Sequence, residues 1–141
     1  MVEGVLNTAQ VLALVVGTAA ATAAMYGRYR LLPASLTGPQ VCRLEAGGCE
    51  VLFRTPAASR LGVPNAALGL LLYVLLSAAW YLGWPVPVLW IGATLGLALS
   101  VSLARYLIVH RLQCRVCWAG HAANAVLWLV LLARWLIGGG P

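Results

Sequence analysis

Two long apolar runs, about residues 64–82 and 88–109, are separated only by the uncharged turn Gly83-Trp84-Pro85-Val86-Pro87. That arrangement restricts the fold more than any other feature of the chain. A surface helix of a water-soluble domain needs a charged or polar face opposite its apolar one, and neither run has one. Each is instead long enough for a helix to cross a hydrocarbon core of roughly 30 Å at about 1.5 Å per residue. Two further runs, about residues 5–25 and 116–137, complete a set of four. With 62% hydrophobic and 9% charged residues, the chain reads as an integral membrane protein.

The expected fold class is therefore all-α integral membrane. It is a four-transmembrane-helix bundle in which residues 1–141 form a single membrane domain, with a long cysteine-bearing loop at 26–63 between the first two helices. Pro33, Gly38, Pro39, Gly47, Gly48 and Pro56 punctuate that loop, and a connection this long in a small protein is usually functional. Pro64 suits a first helical turn. Gly17 with its neighbouring alanines, and Gly92, Gly96 and Ser100 at steps of four, suit close helix packing. Trp80, Tyr81, Trp84, Trp90 and Trp135 are expected at one membrane interface. The first run lacks a basic leading region, so it is taken as a retained span rather than a signal peptide. So short a chain leaves no room for a second soluble domain, and any soluble partner is expected to be a separate chain.

The net charge of +6 comes from nine arginines and no lysine against three glutamates. Nucleic-acid binding would interleave basic groups with exposed aromatics, whereas these arginines flank apolar spans. They are expected to set topology and meet lipid headgroups.

Chemistry is concentrated in Cys114-Arg115-Val116-Cys117, which heads the last span, and in the polar exceptions behind it, His121, Asn124 and Trp128. Steps of three, four, three and four place them on one helical face. A cysteine at a helix N-terminus is favoured as thiolate by the helix dipole and the unpaired amides there, and Arg111 and Arg115 are expected to add to the effect. Cys42 and Cys49 form a second pair in the loop. Four spans put both chain ends on one side of the membrane, so the two pairs share the other side and can exchange electrons. A structural disulfide is the plainer reading of the close pair. A four-cysteine zinc site fits poorly with six residues between Cys42 and Cys49, and no metal is expected.

The order of these features resembles the vitamin K epoxide reductase family. Cys42 and Cys49 come first, then Thr55, then Gly62-Val63-Pro64-Asn65 leading to Gly69, then Cys114-Arg115-Val116-Cys117; the resemblance covers most of the chain from Cys42 to Asn124. It is to a prokaryotic homologue without a fused thioredoxin domain. The bacterial quinone-dependent disulfide-forming membrane protein is a functional cousin, but its close-spaced pair comes first, against the order here. The resemblance implies a bundle around a quinone of the ubiquinone or menaquinone type. Electrons would pass from a thioredoxin-like protein through Cys42 and Cys49 to Cys114 and Cys117. By position, Cys117 lies beside the quinone, Cys114 receives electrons from Cys49, and Cys42 meets the partner. Asn65 corresponds to a family asparagine bonded to a quinone oxygen, Phe53 to an aromatic against the ring, and Thr55 to a family serine or threonine. His121 stands where animal members have a tyrosine that contacts the other oxygen. Histidine keeps a hydrogen-bond donor and adds the ability to pass a proton, and the departure bears on substrate range, epoxide reduction in particular.

The function expected is a membrane thiol:quinone oxidoreductase that generates disulfides. A vitamin K epoxide or quinone reductase on the same relay is one alternative, and a membrane scaffold or small transporter subunit with purely structural disulfides is another. The chain is expected to be a multi-pass protein of the cell membrane. Arg28, Arg30, Arg43, Arg54, Arg60, Arg105, Arg111 and Arg115 fall on the cysteine side and only Arg134 on the other. The positive-inside rule then places the cysteines in the cytoplasm, the reverse of the extracytoplasmic placement usual in the family.

Overall fold

The computed structural model describes residues 1–30, 53, 55–59, 61–111 and 114–138. The loop pair Cys42 and Cys49 and most of the segment 26–63 lie outside the described residues. Within them the protein is all-helical. Helix α1 runs Val2–Tyr29, a short 3₁₀ turn covers Pro56–Ser59, and α2 (Asn65–Tyr81), α3 (Val86–Val109) and α4 (Arg115–Ile137) follow. Three of these, α1, α3 and α4, are long and apolar enough to cross a membrane. The 17 residues of α2 cover only about 25 Å at 1.5 Å per residue, short of a full hydrocarbon core.

Proline and glycine set the boundaries. Pro64 precedes α2 as its N-cap rather than opening its first turn, and Pro85 does the same for α3, where Pro87 sits within the first turn. Proline suits these places because its missing N–H would have no helical partner. Gly83, at φ +71°, turns the chain between α2 and α3, and the Trp84 amide closes on the Ala79 carbonyl at 2.9 Å. At the far end of α3, Arg111 takes the left-handed conformation at φ 52° and redirects the chain toward Cys114. Helix α1 extends to Tyr29, a turn beyond the end expected from hydropathy, because nothing in Tyr26-Gly27-Arg28-Tyr29 breaks a helix.

The helices pack through small residues. Helix α1 presents Ala13, Gly17, Ala20 and Ala21, all buried, and its contact with α4 is the most extensive in the bundle. Without water to drive association in a membrane, such close approach is what gains dispersion energy. Leu14, Leu76, Leu89, Ala93, Leu127 and Leu131 complete the core beneath. By contrast α2 and α3, though consecutive, touch least of the adjacent pairs. They meet near their shared turn through Leu76, Leu89 and Ala93 and leave room between their other ends. Leu71, Val74, Leu75, Leu95, Val101 and Leu129 are exposed, as side chains that face lipid should be.

Candidate active site

The room left at the cysteine end is a cavity of about 490 Å³ bounded by all four helices and by the segment around the 3₁₀ turn. Its size lies within the range of small-molecule sites, about 300–1,000 Å³. The wall is largely aliphatic: Ala20 and Ala24 from α1, Leu68 and Leu72 from α2, Leu99 and Leu103 from α3. Polar groups are few, namely Arg28, Asn65, Tyr73, Ser100, Tyr106, Cys117, His121 and Asn124.

The redox pair stands at one end. Cys114 is the N-cap of α4, and its sulfur accepts from the Cys117 amide at 3.4 Å and from the Cys117 thiol at 2.8 Å. Both thiols are free. Cys114 is fully enclosed, while Cys117, one turn in, lines the cavity. The hydrogen bond from the Cys117 thiol holds Cys114 below the ordinary thiol range, against burial, with help from the Cys117 and Val116 amides. Arg111 and Arg115 are exposed and do not figure among these causes. The Cys117 thiol first, and then the amides of the helix end, favour the thiolate.

The polar stripe behind the pair is pinned residue by residue from the facing helices. The His121 Nδ1 lies 2.6 Å from the Ser100 hydroxyl of α3. Asn124 accepts at Oδ1 from the Tyr73 hydroxyl of α2 at 2.6 Å. Trp128 donates to the Thr94 hydroxyl of α3 at 2.9 Å. The indole of Trp118 meets the His121 ring edge-on, with centroids 5.9 Å apart. Two polar atoms of the wall have no partner among the described residues: His121 Nε2 and Asn65 Oδ1 are both enclosed and unbonded. Asn65 opens α2, but it does not cap the helix. Its Nδ2 donates to the Ala57 carbonyl of the 3₁₀ turn at 2.8 Å, which ties the turn to the cavity and fixes which way the amide faces. Arg28 ties the same segment from the other side, donating to the Phe53 carbonyl at 2.9 Å and the Ser59 hydroxyl at 3.0 Å.

The structure thus gathers Phe53, Asn65, Cys117 and His121 on one cavity, with Cys114 directly behind Cys117. Thr55 is not among the lining residues. It starts the 3₁₀ turn, where its carbonyl accepts from the Ala58 amide at 3.0 Å. Sequence reasoning missed Ser100, Tyr73, Arg28 and Ser59. Tyr73, a hydroxyl inside an otherwise apolar span, was the available signal for one of them, and Ser100 was hidden in a row of small residues read as packing.

The sequence profile of the vitamin K epoxide reductase family matches residues 9–132. The chain belongs to that family. No curated protein and no solved structure matches it. Members of the family are oxidoreductases, and the family assignment together with three apolar spanning helices makes this chain a membrane oxidoreductase. The matched region takes in α2 and α3 whole, most of α1 and α4, and both cysteine pairs, Cys42 with Cys49 and Cys114 with Cys117.

Proposed function

We propose that the protein is a thiol:quinone oxidoreductase that makes disulfides, with Cys114 and Cys117 as the pair that delivers electrons to a quinone in the cavity. One observation carries the reading: the Cys117 thiol opens onto the same apolar cavity whose wall holds two enclosed polar atoms without partners, His121 Nε2 and Asn65 Oδ1. An enclosed polar atom left unbonded costs on the order of 1–3 kcal/mol, so such atoms are a standing demand for a ligand with matching oxygens. A quinone meets the first when Nε2 carries the ring's proton and donates to a carbonyl oxygen, its hydroquinone meets the second by donating a hydroxyl to Oδ1, and the aliphatic wall suits the ring and its tail.

A bound quinone supplies the oxidising equivalent, taking two electrons and two protons to become a hydroquinone. The protein's part is as follows. The Cys117 thiol bond holds Cys114 below the ordinary thiol range and so favours its ionisation; closing the S–S bond from the thiolate form releases two electrons and the one proton still on Cys117. The proton Cys114 gave up on ionising is the second of the two required. Asn65, its amide fixed by Ala57, has its second Nδ2 hydrogen to offer a carbonyl oxygen and its free Oδ1 to accept from the hydroxyl that replaces it. Phe53, buried against the cysteine end, provides an aromatic surface, and Thr55 supports the turn that carries it.

On this reading α2 is a fourth crossing, shortened because the Pro56–Ser59 turn fills in above its first residue. Cys42 and Cys49 would carry electrons from a separate thioredoxin-like protein to Cys114. The orientation proposed has the cysteine face in the cytoplasm. The arginine bias supports it, and the lone arginine of the opposite face, Arg134, is partly neutralised by Glu3 at 3.9 Å. Impermeant thiol reagents applied to intact cells should leave the reduced protein unlabelled, and strong labelling from outside would reverse the orientation. For the activity itself, purified Cys117→Ala protein should fail to reduce a short-chain quinone with dithiothreitol. Undiminished reduction by that variant would refute the role given to the pair.

A further inference from the structure

Ser100 is buried at 4% exposure and lines the cavity on α3. The threonines of these helices send their hydroxyl hydrogens back to their own helix: Thr18 to the Leu14 carbonyl at 2.7 Å, Thr22 to Thr18 at 2.8 Å, Thr94 to Trp90 at 2.7 Å. That is the usual resort of a hydroxyl inside a helix. Ser100 turns instead to the His121 ring across the interface, at 2.6 Å from Nδ1. A buried hydroxyl hydrogen needs an acceptor, and among the described residues Nδ1 is the partner that stands at hydrogen-bond distance. If the hydroxyl donates to Nδ1, the ring's proton sits on Nε2.

That placement matters because Nε2 is the nitrogen without a partner. A quinone carbonyl only accepts, so it can bond an Nε2–H and cannot bond a bare Nε2. We propose that Ser100 is a positioning residue that fixes His121 as the Nε2–H tautomer, and that His121 thereby acts as a neutral hydrogen-bond donor to one quinone oxygen. The proposal rests on the thiol:quinone reading above and adds to it the residue that sets the donor. As electrons leave the Cys114–Cys117 pair, negative charge builds on that oxygen, and a fixed donor in a dry site stabilises it without having to reorient. The proton that finally resides on the oxygen is the one Cys117 loses when the S–S bond closes, and His121 ends as it began. The hydroquinone's hydroxyl oxygen can still accept from Nε2–H, but it is a weaker acceptor than the oxygen that bears charge during the transfer, so the contact is strongest while the electrons arrive.

The chain has two histidines, His110 and His121, which makes the tautomer directly readable. Nitrogen-15 NMR of histidine-labelled protein, without quinone and with a His110→Gln variant for assignment, should show His121 protonated at Nε2 and bare at Nδ1. A resting Nδ1–H tautomer overturns the proposal whatever the activity. Ser100→Ala should mix the tautomers and lower kcat for reduction of a short-chain benzoquinone by dithiothreitol about ten- to hundredfold, as loss of an orienting partner does elsewhere, with KM within about threefold. Ser100→Thr, which keeps the hydroxyl, should retain most of the rate. On a His121→Phe background, Ser100→Ala should change nothing further, because its effect runs through the ring. Wild-type tautomer and rate in Ser100→Ala, or an undiminished loss on the His121→Phe background, would sink the proposal. Wild-type protein that shows the Nε2–H tautomer yet never passes electrons from its thiols to quinone would instead defeat the underlying functional reading. Should Ser100→Ala fail to accumulate, the wild-type tautomer still decides.

Discussion

Gly17→Ala is the sharpest test of how the cavity is held open. Gly17 is buried on α1, and the Tyr73 ring of α2 lies flat over it. A methyl added there would overlap the ring and come within 2.5 Å of the hydroxyl oxygen, where ordinary contact between heavy atoms is about 3.5–4.0 Å. The helix backbone cannot yield, since α1 packs along its length on α4, so the ring has to move by roughly the missing ångström. Tyr73 donates to Asn124 Oδ1 at 2.6 Å, and an ångström of displacement breaks that bond. Overpacking in a tight core costs about 1–3 kcal/mol, and a buried acceptor left unmade costs about 1–3 kcal/mol more. Gly17→Ala should therefore destabilise the bundle by about 2–6 kcal/mol and shrink the floor of the cavity.

The assay is a double-mutant cycle read by reversible unfolding in mixed micelles. Tyr73→Leu removes both the ring's far end and its hydroxyl, so it is itself destabilising, but it leaves space for the new methyl. On that background Gly17→Ala should cost less than about 1 kcal/mol, the coupling between the two sites making up the difference. Equal costs in the two backgrounds would show that the glycine serves α1 for some reason other than the tyrosine, and the account of the cavity floor would fall with it.

Other consequences are simpler to state. Because the Cys117 thiol bond and two backbone amides hold Cys114 below the ordinary thiol range, thiolate absorbance in the reduced protein should appear at lower pH than for a free cysteine. The first step should move to higher pH in Cys117→Ala; an unshifted curve would mean that the pair is not bonded as described. Asn65→Leu should raise KM for quinone by about tenfold, the worth of roughly 1.4 kcal/mol, and loosen the Pro56–Ser59 turn, seen as faster proteolysis there. Arg134→Ala should change stability by less than about 1 kcal/mol, since its pairing with the exposed Glu3 is partly solvated; a larger loss would point to its bond with Asn7. Thr94→Val should destabilise by about 1–3 kcal/mol by stranding the Trp128 N–H, while leaving the quinone KM unchanged, because neither residue lines the cavity.

How much of this was legible in the sequence follows from what kind of physics each feature obeys. The helices were legible because a charge-free run in a chain this apolar has few alternatives, and their edges moved only where no residue marks a stop, as at Tyr29. The face shared by Cys117, His121, Asn124 and Trp128 was legible because helical periodicity is local. Their partners were not, since Ser100, Tyr73 and Thr94 are set by how three helices cross, and no spacing within one helix encodes that. Ser100 shows the difficulty well. In a row with Gly92 and Gly96 it looked like one more small residue, and only the register between α3 and α4 reveals that its hydroxyl sits over the ring. Asn65 was marked by the resemblance, but its tie between α2 and the 3₁₀ turn is a contact between segments that sequence pattern does not report. The arginines beside the cysteines are exposed to the surroundings, and the Cys114 thiol owes its shift first to the neighbouring thiol, not to them.

These partners have one physical property in common that bears on how the site works. Each polar residue of the α4 stripe behind Cys117 meets one hydroxyl on a facing helix, Ser100 for His121, Tyr73 for Asn124, Thr94 for Trp128. In hydrocarbon a polar side chain without a partner is expensive, so each pairing fixes a rotamer and a helix register together. The polar side of the cavity is consequently held by pairings of α4 with two other helices, α3 and α2, and does not depend on a ligand to order it. Cys117, the stripe member at the head of the row, is bonded only within its own helix end, to Cys114. That is the arrangement a reactive thiol needs: a sulfur free to exchange partners, set against neighbours that are not free to move. A site built in this way spends its rigidity on the groups that recognise oxygen and reserves its chemical freedom for the sulfur, which is why the loss of a hydroxyl on α3 should be felt in the rate of a reaction that the hydroxyl never touches.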